Sequence, residues 1–554
     1  MTKDAKRLSD HDCGPQRVPG PEPVGAFEPV AVAGVVLIST AHLNTADTAT
    51  PSFIPSTAQP HGMVSIDALT AGNSVRNYVG GEWTVSAREE GQTVTNPATG
   101  EELAFVPFSD EEEVDRAVRT AQAAFEEWRS TPVEERIQPL FRFKQLLEDH
   151  QDELAEIMVR EHGKTRAEAA GELRRGIENV EVACGIPSMM QAGSLPNAAP
   201  GIDETAVRQP LGVFVAVTPF NFPGMIPLWF LPYAVATGNA FVLKPSERDP
   251  MTSQRLFELL DEAGFPDGVL NLVNGSVDTV NALITHEEVA GVSFVGSTPV
   301  AEHVYETAAA AGKRVQAQGG AKNHIVVSDS VDLDFAAEKA LSSSCACAGE
   351  RCLANDVVLV HDDVYEEFAS CLVEKADAMA VGYGLDDVDM GALITDDHEQ
   401  HVRNYIQTGI EEGATLLRDG RDLTVEGYED GNFLGPTVFG DVTDDMVISQ
   451  EEIFGPVVAL APYESFDDAI DRLNASEFGN AASLFTERGA EARRFRHDAE
   501  AGNLAVNAGT AAPMAFFHFG GQKDSFFGDL HAQGEDAIHF YTDKTVYIER
   551  WPDA

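Results

Sequence analysis

One cysteine of this chain stands in a setting that suits a nucleophile. Cys352 closes the polar, glycine-bearing segment Ala348-Gly-Glu-Arg-Cys352. Arg351 adjoins it, and a cation beside a thiol lowers its pKa from about 8.5 toward the range where thiolate exists at neutral pH. Upstream lies Gln318-Gly-Gly-Ala-Lys-Asn-His324. Together the two segments supply a nucleophile and lack a carboxylate that would activate water. That combination favours an acyl-enzyme released to a thiol. Cys345 and Cys347 lie close by, yet no further Cys or His completes a zinc-like spacing, so no metal is expected. They do bring oxidative sensitivity to the neighbourhood. Cys184 and Cys371 sit in apolar helical contexts and read as core.

Other chemistry-bearing residues follow short apolar runs. Val213–Val217, Phe241–Leu243, Leu270–Val273 and Val292–Val295 read as buried parallel strands, with crossover helices such as Met251–Glu262 between them. Repeated βαβ units make an open, doubly wound sheet that binds ligands at the carboxyl ends of its strands. Thr218-Pro-Phe-Asn-Phe-Pro223 follows the first run, where the Asn221 amide either donates to an oxyanion or serves as a turn asparagine. Lys244-Pro-Ser-Glu247 follows the second. Lys244 and Glu247 form either a surface ion pair or a grip on ribose hydroxyls, and an acid there favours NAD over NADP. Gly296-Ser-Thr-Pro-Val300 follows the fourth and opens a helix whose amides can face a pyrophosphate, although it is not GxGxxG. Each signal is weak alone, but all fall at the strand ends of one sheet.

The chain is long enough for two or three domains, and its 43% hydrophobic content with 47 Gly and 29 Pro is that of a globular enzyme-sized protein. With 90 acidic against 38 basic residues, its net charge of -52 repels nucleic acid and anionic membranes. The acids are spread along the chain, which suits a halophilic cytoplasm, where screening shortens to about 3 Å at 1 M salt. Six cysteines are too few for a disulfide scaffold and imply a reducing compartment. Residues 1–72 lack periodicity and read as a disordered extension, or as sequence upstream of a start at Met63. Their apolar run Val30–Ile38 is too short to span a bilayer. Ser109-Asp-Glu-Glu112 reads as a capping box for a helix burying Val114, Ala117, Val118, Ala121, Phe125 and Trp128.

From about Asn77 to Trp551 the chain resembles the aldehyde dehydrogenase superfamily, and within it the CoA-acylating methylmalonate- or malonate-semialdehyde group. The residues that carry this are Thr218-Pro-Phe-Asn-Phe-Pro-Gly-Met-Ile-Pro-Leu-Trp229, Val242-Leu-Lys-Pro-Ser-Glu-Arg-Asp249, Gly320-Ala-Lys-Asn-His324, Ala348-Gly-Glu-Arg-Cys352, Gln450-Glu-Glu-Ile-Phe-Gly-Pro456 and Phe540-Tyr-Thr542. The resemblance implies a doubly wound cofactor domain (73–194 and 215–325), an α/β catalytic domain (326–523) and a β oligomerisation arm (195–214 and 524–554). It implies NAD as cofactor, coenzyme A as co-substrate, and a homodimer or homotetramer serving valine or inositol breakdown. Cys352 would attack the aldehyde, with the Asn221 amide and the Cys352 N–H as oxyanion hole. Thr218, Phe220, Lys244, Glu247, Gly296, Ser297, Glu452 and Phe454 would hold the cofactor. Arg351 and Arg175 would bind the substrate carboxylate, with Arg174 beside the latter leaving that assignment open. Gln318 takes the place of the glutamate that activates water in hydrolytic members. Ala301 replaces an expected glycine, and Asn507-Ala-Gly-Thr-Ala-Ala512 replaces a proline-rich loop at the substrate entrance.

Overall fold

The computed structural model describes residues 73–551. The expectations for residues 1–72, including the disordered extension and the Val30–Ile38 run, lie outside the described residues. What is described is α/β throughout, built on two large sheets, a three-stranded sheet and two two-stranded ribbons.

The first sheet has eight strands in the order Glu82–Thr84, Asn77–Val79, Leu270–Leu272, Ala240–Lys244, Val213–Val217, Val289–Val295, Arg314–Gln318 and Phe526–Gly528. Its five central strands run parallel, and both edges are finished by antiparallel pairs. Val213–Val217 and Ala240–Lys244 are buried at every position, as continuous apolar strands covered by helices on both faces must be. The helix Glu111–Trp128 packs there through the six apolar residues the spacing picks out. Its capping box is one residue later than the sequence suggests. Asp110 caps, accepting from the Glu113 N–H at 3.1 Å, while the Glu113 carboxylate accepts from the Asp110 N–H at 3.2 Å. Ser109 is taken by another partner: the Asn77 side chain donates to its hydroxyl at 2.8 Å.

The second sheet has seven strands in the order Thr415–Arg418, Thr437–Gly440, Val457–Tyr463, Val357–His361, His324–Val327, Ala481–Phe485 and Asn503–Val506, parallel except for the first. The third is an antiparallel arm of Thr542–Arg550, Ile202–Pro210 and Ser194–Ala199. The expected arm of 524–554 therefore needs correction at its start. Phe526–Gly528 pairs with Arg314–Gln318 and extends the first sheet, so the arm proper begins with Thr542. Leu195, Val546, Ile548 and Trp551 are exposed on the arm. No described helix is long and apolar enough to cross a membrane.

Asn239 ties the arm to the first sheet. It is fully buried, and its Oδ1 accepts from the Leu211 and Gly212 N–H groups at 2.8 and 3.1 Å. Its Nδ2 donates to the Tyr541 carbonyl at 2.9 Å. Asn239→Ala strands these buried backbone groups, at about 1–3 kcal/mol for each one left unpaired. A lowered melting temperature is therefore expected in thermal unfolding, and an unchanged one would show that the tether is dispensable.

Candidate active site

In the first sheet the strand order reverses between Val213–Val217 and Val289–Val295, so the loops leaving their carboxyl ends diverge and open a crevice. Thr218, Phe220 and Asn221 lie on the loop after Val217. Lys244 and Glu247 follow the neighbouring strand on one side, and Gly296 and Ser297 follow the neighbour on the other. The Lys244 ammonium donates to the Glu247 carboxylate at 2.7 Å. Burial works against ionising Glu247, but Lys244 overcomes it and keeps the carboxyl below its usual range. Ser297 occupies the N-cap of the helix Thr298–Ala310 without a side-chain cap bond, so its hydroxyl is free for a ligand at that helix end. Ala301 is fully buried, and a methyl is accommodated where a glycine was expected.

The second sheet contributes the amino ends of its strands. Cys352 precedes Val357–His361, Glu452 and Phe454 precede Val457–Tyr463, Asn323 precedes His324–Val327, and Asn480 precedes Ala481–Phe485. Asn323 and Asn480 both donate to the Cys352 carbonyl, at 2.9 and 2.7 Å. The turn before Cys352 is left-handed at Cys347, Ala348 and Gly349, with φ of 52°, 52° and 78°. Glycine is obligatory at the last of these, because a Cβ on Gly349 would lie 2.2 Å from the Gly455 carbonyl oxygen.

Glu452 accepts from the Ala321 N–H at 3.0 Å, and burial pushes its carboxyl up to about 7. Gly320 makes room for it: a Cβ there would sit 2.6 Å from Glu452 Oε2. Phe454 is also left-handed, at φ 59°, and its ring meets Phe220 edge-on with centroids 5.8 Å apart. His398 holds that backbone by donating from Nε2 to the Phe454 carbonyl at 2.7 Å. Burial drives the His398 pKa down to about 4, so the ring is neutral at physiological pH.

Between the sheets lies a cavity of about 360 Å³ whose wall includes Cys352, Arg351, Arg175, Trp229 and Phe519. Arg175 faces the cavity, whereas Arg174 lies outside its lining and donates to Glu181 at 2.6 Å. Arg175 is braced by Glu178 at 2.7 Å and donates to the Pro513 carbonyl. Ala512 and Pro513, from the loop that departs from the proline-rich pattern, also line the cavity. Arg351 makes no ion pair among the described residues, so its guanidinium is available to an anion. Asn221 is adjacent to the wall residue Phe222 but is not itself in the lining. Its buried Oδ1 has no partner among the described residues. Gln318, at the end of its strand, is likewise buried, with both amide atoms unpartnered among the described residues.

At Cys352 the influence of Arg351 is opposed by desolvation. Burial pushes the Cys352 thiol up to about 12, while Arg351 and the Cys352 and Leu353 amides only moderate that rise. Desolvation of the thiolate outweighs a single neighbouring cation. Cys347 shares the cavity wall, and Cys345 is buried behind it. Cys184 is buried and Cys371 half-buried.

These features define a class. Residues 83–546 match the model of the aldehyde dehydrogenase family, and the chain belongs to that family. It is 49% identical to malonate-semialdehyde dehydrogenase 2 of Geobacillus kaustophilus over 486 residues, covering 87% of this chain and 100% of that one. A malonate-semialdehyde dehydrogenase of Halalkalibacterium halodurans is 49% identical over 484 residues, covering 87% and 99%. Among solved structures, the methylmalonate-semialdehyde dehydrogenase of Oceanimonas doudoroffii superposes with a TM-score of 0.86 at 43% identity, covering 87% of this chain and 99% of its own. A Sinorhizobium meliloti protein assigned to the same activity and solved with NAD gives 0.85 at 42% identity, covering 86% and 97%.

Several residues of the site carry no signal in the sequence beyond their polarity: Lys164 and Glu172 at the Asn221 loop, Asn480 behind Cys352, and His398 behind Phe454. Asn323 falls within a family motif, but its role does not show there.

If burial sets the thiol, alkylation of Cys352 in the cofactor-free protein should accelerate about tenfold per pH unit from 7 to 10 without levelling, since only the thiolate reacts. Mass mapping of iodoacetamide adducts against pH measures this. A plateau below pH 9 would mean that cations, not desolvation, control the group.

Proposed function

We propose that the protein is an NAD-dependent, CoA-acylating dehydrogenase of malonate or methylmalonate semialdehyde. The observation that carries this is the cavity, which sets the Cys352 thiol beside two guanidinium groups. Arg351 and Arg175 take the carboxylate of a short semialdehyde acid, each able to form a forked pair, and so orient the aldehyde carbon toward sulfur. Cys352 attacks that carbon, and the developing oxyanion is met by the Asn221 Nδ2 and the Cys352 N–H. Such donors contribute roughly 3 kcal/mol each to acyl-transfer transition states.

The cofactor residues fit NAD. Lys244 and Glu247 suit the adenosine ribose, the free Ser297 hydroxyl the pyrophosphate, and Glu452 with Phe454 the nicotinamide riboside. NAD, when bound, supplies the hydride acceptor. Loss of the hydride leaves a thioester on Cys352. With a β-carboxylate present, CO₂ departs and the resulting enolate oxygen occupies the same oxyanion donors before protonation. Gln318 cannot accept a proton from water, which removes general-base help worth about 10²–10⁴-fold. The thioester therefore awaits the CoA thiol, giving acetyl- or propionyl-CoA. A halophilic cytoplasm suits the acidic surface, and a homodimer or homotetramer would cover the exposed apolar residues of the arm.

NADH formation from both semialdehydes in molar KCl, with and without CoA, tests this reading when products are identified by mass. A CoA-dependent rate yielding acetyl- or propionyl-CoA is expected. Equal rates without CoA, yielding free acid, would overturn the acceptor assignment and leave a hydrolytic aldehyde dehydrogenase. Gln318→Glu should raise CoA-independent turnover at least tenfold, toward the range expected of a restored general base. No gain would show that water is excluded by something other than the missing carboxylate.

A further inference from the structure

Two charged groups outside the expected machinery grip the Asn221 loop. Lys164 and Glu172 form an ion pair whose side chains are completely shielded from solvent. Lys164 Nζ also donates to the Asn221 backbone carbonyl at 2.7 Å and lies 4.5 Å from the centroid of the Phe222 ring. Glu172 Oε1 accepts from the Gly224 N–H at 2.7 Å and the Met225 N–H at 3.1 Å. The pair thus holds the loop on both sides of Phe222. Among the described residues the Asn221 Oδ1 has no partner, and the bonds that hold this loop are made to its backbone.

The same helix, Arg166–Cys184, also reaches the nucleophile. Glu168, one turn before Glu172, accepts from the Cys347 N–H at 2.6 Å within the left-handed turn that leads to Cys352. Glu168, Glu172 and Arg175 follow at helical spacing along one face, and all three line the cavity. A buried ion pair is a poor way to gain stability, since apolar residues of similar volume commonly do as well or better. This pair spends its remaining hydrogen bonds on one loop.

We infer that Lys164 and Glu172 are positioning residues that set the Asn221 amide against Cys352, with Glu168 fixing the nucleophile turn from the same helix. The inference rests on reading Asn221 as an oxyanion donor and Cys352 as the nucleophile. Its consequence is selective: removing the pair slows acylation while leaving cofactor binding intact.

The test is single-turnover NADH formation without CoA, at saturating NAD, alongside NAD affinity and melting temperature. In Lys164→Met/Glu172→Met the two charges leave together, so no unpaired ion remains buried. A loss of about 10²-fold in acylation is expected, comparable to loss of an oxyanion donor, with NAD affinity within twofold. Acylation within threefold of the parent would overturn the inference. Glu172→Gln covers the case of a double variant that does not fold. It keeps an acceptor for the two amides but weakens the tie to Lys164. A roughly tenfold slower acylation at unchanged melting temperature supports positioning, and an unchanged rate refutes it. Asn221→Ala and Cys352→Ala serve as controls. If either retains the full single-turnover rate, the underlying assignment falls and takes this inference with it. If both lose it while the Lys164 and Glu172 variants do not, the inference alone fails.

Discussion

Asn323 is the small group on which the catalytic half of the molecule turns. Its Nδ2 donates to the carbonyls of Cys352 and Ala354, at 2.9 and 2.7 Å, while its Oδ1 accepts from the Ala481 N–H at 2.9 Å. One buried side chain thereby joins the starts of three parallel strands, His324–Val327, Val357–His361 and Ala481–Phe485, and pins the nucleophile's backbone to them. Asn480 adds a second bond to the same Cys352 carbonyl. With the carbonyl held twice, the thiol can rotate about its side-chain bond but cannot drift with the loop. In the proposed mechanism such a preorganised thiol gains rate because little is left to order when substrate arrives.

The two large sheets meet in opposite senses. The first presents carboxyl ends of strands, where loops diverge and ligands lodge. The second presents amino ends, where polar residues stand just ahead of buried strands. Neither edge makes a site alone. Asn221 comes from one, Cys352 from the other, and the helix Arg166–Cys184 spans both by holding Gly224 and Met225 through Glu172 and Cys347 through Glu168.

Much of the first edge is legible in the sequence, because its signals are local. Continuous apolar runs give the strands, and the residues following each run give the loops that line the crevice. The helix buried through Val114, Ala117, Val118, Ala121, Phe125 and Trp128 is equally plain from its spacing. Where the reading slips, a tertiary partner is responsible. Ser109 has the pattern of an N-cap, yet its hydroxyl is engaged by Asn77, and Asp110 takes over. Cys352 shows its cationic neighbour but not the desolvation that opposes it. Phe526–Gly528 is too short to announce which sheet it joins. Lys164, Glu172 and His398 act on Asn221, Gly224 and Phe454, all far off in sequence, so nothing about their spacing distinguishes them from surface charges.

Arg351 and Arg175 also have a consequence for how ligands arrive. They are two cations in a molecule with 90 acidic and 38 basic residues. A carboxylate-bearing substrate must therefore cross a repulsive field before it meets an attractive one, the reverse of the funnel that usually speeds association. Added salt collapses the outer repulsion to within a few ångströms of the surface, while a contact ion pair in a partly enclosed cavity is screened much less. Salt then acts as a gatekeeper for encounter. For such an enzyme the rate of substrate capture rises with ionic strength, where electrostatic steering would ordinarily make it fall.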